Sequence, residues 1–62
     1  MSKIKTLRKE LEMTQAALAK KLGVTQGAVW HWESGRAKPT TDKLIAMAAL
    51  FDCTVDDLLA EE

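Results

Sequence analysis

The sequence predicts an all-α fold of five short helices, and three observations carry that reading. Apolar residues recur at spacings of three and four, and no stretch sustains the period-two alternation of a strand. A hydroxyl-bearing cap candidate precedes each apolar run, and glycine or a polar pair follows most of them. The chain is 62 residues long, which is one small domain spanning residues 1–62. Such a chain buries only about 60% of the surface its unfolded form exposes. Its core then supplies no more than about 3–5 kcal/mol, and little material remains for a deep active site.

The first helix is expected over residues 3–11, with Ser2 as N-cap. Ile4, Leu7 and Leu11 form its apolar stripe, and Met13 in the following turn plugs the edge of the core. The second starts on Thr14, ahead of the helix-forming run QAALAKKL. Leu18 and Leu22 point inward, while Ala16, Ala17 and Ala19 let neighbours approach closely. Gly23 stands where a left-handed residue ends a helix, and Val24 turns into the core. The third helix starts on Thr25 and runs to about residue 33, with Val29 and Trp32 facing inward. Ser34 and Gly35 end it. Residues 36–38 form a basic loop that Pro39 keeps from continuing as helix. The fourth begins on Thr40 or Thr41, with Asp42 in its first turn favourable to the helix dipole. Leu44, Ile45, Ala48 and Phe51 are its expected buried stripe, and Asp52 and Cys53 break it. Thr54 caps the fifth, with Asp57 three residues on completing a capping-box pair. Val55, Leu58 and Leu59 form its apolar face, and residues 60–62 are expected to fray.

Composition narrows the function. Hydrophobic residues make up 47% and charged residues 29%, which fits a globular domain rather than a disordered one. No apolar run approaches the ~20 residues that span a bilayer, and MSKIKTLRKE lacks the apolar segment of a secretory signal. The single Cys53 fits a reducing, cytoplasmic setting. Net charge is zero, but its distribution is lopsided. Residues 1–43 hold all nine bases against four acids, a net +5; residues 44–62 hold five acids and no base, a net −5. A basic body with an acidic end has one face suited to a polyanion, although ordinary solvated charge also produces asymmetry. Lys20 and Lys21 read as such a solvated face. No nucleophile–base pair, paired-carboxylate pocket or metal cluster is visible, so no enzyme activity, cofactor, metal or small-molecule substrate is expected.

Residues 15–34, QAALAKKLGVTQGAVWHWES, are the organising stretch. Two helices of about eight residues joined by a glycine-containing turn match a helix-turn-helix unit. That unit needs a small residue where its helices cross, a turn glycine and apolar residues inside its second helix. Ala19, Gly23, Val29 and Trp32 meet those needs.

The segment TQAALAKKLGVTQGAVWHWESGRAKP resembles the Cro/CI-type helix-turn-helix family of phage repressors and small bacterial regulators. The similarity runs from Arg8 to the terminal VDDLL. It implies a compact five-helix lambda-repressor-like fold and binding of double-stranded DNA through the major groove. It also implies roles for individual residues. Gln15, at the N-terminus of the second helix, is expected to bind the DNA backbone and touch Gln26. Gln26 is the expected base reader, since a Gln amide pairs with adenine N6 and N7. His31 matches a DNA-facing position, and contact with guanine N7 or O6, or with a phosphate, is preferred over an unengaged histidine. Thr25 and Gly27 complete the base-facing set. Gly27 departs from the family pattern, with two readings open: close backbone approach to the groove, or no readout.

Trp30 is a second departure. It lies about 160° from Trp32 around the helix and is expected to be exposed. Contact with a thymine methyl or the sugar-phosphate wall, packing on the second helix, and packing on a partner protein all remain open for it. Arg8 is the family partner of Glu33, implying an ion pair with the guanidinium also near a phosphate. Thr14, Ser34, Arg36, Lys38 and Lys43 are the remaining candidate phosphate contacts, which fix orientation rather than sequence. The resemblance thus implies a sequence-specific transcription regulator, a repressor binding a pseudo-palindromic operator as a homodimer through Val55 and Leu58 or Leu59. The alternative is a protein-interaction module of the same fold, such as a toxin–antitoxin component, with Trp30 and the last leucines as its contact surface.

Overall fold

The computed structural model describes residues 2–60, and side chains from residue 3 onward. The Ser2 side chain and residues 61–62 lie outside what is described, and the backbone of Ser2, the expected cap, belongs to α1. Five helices follow in order: α1 (Ser2–Glu10), α2 (Gln15–Leu22), α3 (Gln26–Ser34), α4 (Thr41–Phe51) and α5 (Val55–Leu59). No strand occurs among the described residues.

Helix starts follow one rule. Thr14, Thr25, Thr40 and Thr54 each hold extended backbone and accept a hydrogen bond from the amide three residues on. Those bonds are 3.0, 3.1, 3.4 and 3.0 Å long. Thr40 rather than Thr41 is therefore the cap of α4. At Thr54 the box closes, because the Asp57 carboxylate accepts from the Thr54 amide at 3.0 Å.

Helix ends follow a second rule. At four of them a residue with positive φ is followed by one whose amide reaches back five residues. Met13 donates to Arg8, Val24 to Ala19, Arg36 to His31 and Cys53 to Ala48, at 3.1, 3.0, 2.9 and 2.9 Å. This is the Schellman closure. Gly23 and Gly35 supply the positive φ where expected, but Glu12 (φ 57) and Asp52 (φ 54) do so without being glycine. The closure at Glu12 ends α1 before Leu11. Leu11 thus leaves the predicted stripe and stands 49% exposed.

Each helix contributes one fully buried side chain to a common centre: Ile4, Leu18, Val29, Met47 and Leu58. Ala19, Leu22, Trp32, Leu44, Ala48 and Phe51 surround them. α3 packs against α1 and α2, and α5 against α1 and α4. The stripe of α4 differs from expectation. Ile45 is 56% exposed and Met47 takes its place. Met47 lies about 60° from Leu44 around the helix and Ile45 about 100°, so angle outweighs hydrophobic rank. Of the three small residues on α2, Ala19 is buried at the crossing with α3, while Ala16 and Ala17 face outward. On α5, Leu58 is fully buried and Leu59 is 51% exposed.

Candidate nucleic-acid interface

The site begins from how α3 is held. Its inner edge is fixed by a buried polar cluster. Arg8 Nε donates to Glu33 Oε2 at 2.7 Å, and Nη2 to Oε1 at 3.1 Å. Arg8 Nη1 donates to the Met13 carbonyl at 2.8 Å, and Gln15 Nε2 donates to Glu33 Oε1 at 3.2 Å. One carboxylate thereby joins α1, α2 and α3. Burial acts to raise the Glu33 pKa. Hydrogen bonds from Arg8 and Gln15, with the charges of Arg8 and Lys5, outweigh it and hold the carboxyl below its ordinary value.

The expected Arg8–Glu33 pair is therefore present, and one attached expectation is corrected. Arg8 is buried, with its guanidinium turned inward onto Glu33 and Met13, so it braces α3. Gln15 reaches Glu33 instead of Gln26. Lys43 is likewise engaged within the fold. Its Nζ donates to the Leu22 carbonyl at 2.8 Å, a cation at the C-terminal end of α2 where the helix dipole favours it. It ties α4 to α2.

The opposite face of α3 is open. Gln26, Gly27, Trp30, His31 and Ser34 are all exposed and share one side of the helix. A Cβ added to Gly27 would meet only Thr25 Oγ1, at 3.8 Å. Nothing within the fold thus requires glycine there, and the bare backbone leaves a notch in the outer face. Thr25 and Thr14 use their hydroxyl oxygens as caps, so each retains its hydroxyl proton for an outside acceptor. The Ser34 hydroxyl donates back to the His31 carbonyl at 3.2 Å.

Beyond the end of α3, Arg36 returns over the same face. Its Cζ lies 5.2 Å from the Trp30 ring centroid. The His31 ring stands at 75° to Trp30 with centroids 5.1 Å apart, the edge-on geometry that aromatic quadrupoles favour. These two neighbours of Trp30 are not among the environments left open for it from the sequence. Sequence reasoning missed the Arg36 contact, yet a signal was present. A glycine closing a helix in this way aims the next residue back at the last turn but one, and Gly35 aims Arg36 at Trp30. Lys38 is exposed in the following loop, and Pro39 behind it is buried.

The structure thus gathers Gln26, Gly27, Trp30, His31, Ser34 and Arg36 on one surface. Leu58, a candidate for pairing two copies, is enclosed in its own core and offers no surface to a partner, whereas Val55 is half-buried and Leu59 exposed. Burial and the nearby Asp57 push the Cys53 thiol up, which disfavours the thiolate a nucleophile needs. Among the described residues, no three His, Cys, Asp or Glu side chains converge on a point that would hold a metal. No helix among them is long and apolar enough to cross a membrane.

Comparison with known proteins agrees with this geometry. A helix-turn-helix family model matches residues 4–58. The chain is 37% identical over 57 residues to repressor protein C2 of Salmonella phage P22, covering 92% of this chain and 26% of that protein. It is also 37% identical over 60 residues to the HTH-type transcriptional activator BcrR of Enterococcus faecalis, covering 97% and 29%. The chain therefore spans less than a third of the length of either relative. The fold resembles the P22 c2 repressor as crystallised with a synthetic operator, with a TM-score of 0.87 and 35% identity over 92% of this chain and 86% of that one.

Proposed function

The chain belongs to the helix-turn-helix family, and from that membership we propose that it is a sequence-specific transcription regulator of double-stranded DNA. In this reading it is a cytoplasmic repressor that occupies a pseudo-palindromic operator as a homodimer. α3 lies in the major groove, one copy in each half-site. The observation that carries the reading is the contrast between the two sides of α3. Its inner polar group is fully engaged within the fold, while Gln26, Trp30 and His31 stand exposed in a row.

Gln26 and His31 are the base readers, with Thr25 and the notch at Gly27 flanking them. Thr14, Gln15, Ser34, Arg36 and Lys38 are placed to meet phosphates. Gln15 does so through the first turn of α2, where free amides and the dipole favour an anion. The basic half of the sequence faces the polyanion, and the acidic half holds the dimer contact at Val55 and Leu59. The reading involves no catalytic step, cofactor or small-molecule substrate. Its support includes a family relative that is a phage repressor and a structural neighbour bound to operator DNA.

The experiment is selection of bound duplexes from a random pool, followed by titration across salt. The expected product is two related half-sites about one helical turn apart, bound with an affinity that falls steeply as salt rises. A flat salt dependence, or no duplex binding at low salt, would transfer the exposed face of α3 to the protein-partner alternative.

A further inference from the structure

Four helices close in the same way, yet one closing residue differs from the rest. After α1, α2 and α4 the residue following the left-handed position is Met13, Val24 or Cys53, and each packs against the core. After α3 that residue is Arg36, which is exposed. An apolar contact across the closure commonly accompanies this motif. At α3 the contact is made on the outside, by a guanidinium over an indole. The amides of Arg36 and Ala37 both reach the His31 carbonyl, at 2.9 and 3.3 Å. The Gly35 amide and the Ser34 hydroxyl also donate to that oxygen. The stem of Arg36 is therefore anchored to the helix whose aromatic side chain it covers.

We infer that Trp30 is a positioning residue for Arg36: its ring, braced edge-on by His31, is a shelf that fixes the guanidinium as a preformed clamp for a DNA phosphate. The inference rests on the DNA-binding reading and adds a role for the residue that reading leaves without one. A free arginine must be ordered when it meets a phosphate, at the cost of its rotamer freedom. An arginine already held over an aromatic ring has lost much of that freedom in advance. The planar fork stays available to phosphate oxygens at its edge while its face rests on the ring. Trp30 therefore acts through Arg36, and its influence is the same for every DNA sequence.

Trp30→Ala, Arg36→Ala and the double variant test this, with Trp30→Phe as the variant that keeps an aromatic shelf. Trp30 is 43% exposed, so its removal leaves the core intact. If Trp30→Ala fails to fold, Trp30→Phe takes its place, alone and combined with Arg36→Ala. The first measurement needs no DNA: the Arg36 side-chain protons should show an upfield ring-current shift in the unmodified chain, lost in Trp30→Ala and kept in part in Trp30→Phe. The second is affinity, across salt, for a duplex recovered by selection and for a mixed-sequence duplex. Trp30→Ala should weaken both by the same factor, about two- to fivefold, and the double variant should bind no worse than Arg36→Ala. The clamp is overturned if the ring-current shift is missing, if Trp30→Ala weakens only the selected duplex, or if the two losses simply multiply. A chain that shows the shift but binds no duplex in a salt-dependent way overturns the DNA reading, and the clamp with it.

Discussion

Arg8 and Arg36 carry the same side chain to opposite ends of its usefulness. Arg8 lies in the seam between α1 and α3, with its donors on Glu33 and the Met13 carbonyl. Arg36 lies on the rim of α3, exposed, with its face on an indole. A count of basic residues treats the two alike. Their surroundings assign one to holding α3 and the other to what α3 meets. A buried charge with all its partners present is neutral or modestly useful to stability, but the same charge bereft of a partner is costly. An exposed charge costs the fold almost nothing to keep or remove. The surface that contacts a ligand can therefore change freely, while the seam that aims it cannot.

The largest effect expected is at the seam. Arg8→Ala leaves the Glu33 carboxylate buried without its main partner and should cost about 3–5 kcal/mol in chemical denaturation. A domain this small has a core contribution of the same size, so the variant should be largely unfolded at room temperature. Acid probes the same seam. The folded Glu33 carboxyl lies below its unfolded value, so its stabilisation is present above the unfolded value and lost as pH falls through the folded one. Asp57, held low by the backbone and side chain of Thr54, contributes with the same sign. The difference in acid dependence between the unmodified chain and Glu33→Gln isolates the seam. An identical dependence in the two would show that Glu33 is not linked to folding.

The rim should behave in the opposite way. Gln26→Ala should relax preference at one base pair by about 1–3 kcal/mol, with folding stability unchanged within about 0.5 kcal/mol. Uniform weakening on all duplexes would remove Gln26 from the base readers. Arg36→Ala should weaken all duplexes alike and lower the slope of log affinity against log salt by about one, again without altering stability. The smallest effect is a gain. Gly27→Ala adds a methyl that meets only Thr25 Oγ1, at an unstrained 3.8 Å, and should stabilise the helix by about 0.5–1 kcal/mol. If affinity falls at the same time, the notch is a point of close approach to DNA. If affinity holds, Gly27 reads nothing.

What the sequence disclosed follows the same division. All five helices were visible through the spacing of their apolar residues, and four of them also through a threonine at the start. Ends written in Gly23 and Gly35 were visible too. The end at Glu12 was not, because a glutamate in the left-handed region is set by the closure around it and has no signature of its own. Leu11 was misplaced as a result. Met47 lost to Ile45 because hydrophobic rank was weighed above angular position. At the site, the Arg8–Glu33 pair was legible through family resemblance. The inward turns of Gln15 and Lys43 were not, because long polar side chains choose among partners that only the packed fold brings near. Leu58 and Leu59 show the limit plainly: adjacent leucines on a five-residue helix, one at the centre of the core and one in water.

The four threonine caps have a consequence for time as well as for form. Each satisfies an amide three residues away, so α2 to α5 can begin before any distant part of the chain has arrived. Small helical domains built on such local contacts fold in microseconds to milliseconds. A domain with only a few kcal/mol in reserve opens often. This one should close again within about a millisecond, before a protease or an aggregating neighbour finds the exposed core. Its endurance in a cell would then come from the speed of repair more than from the depth of its energy well.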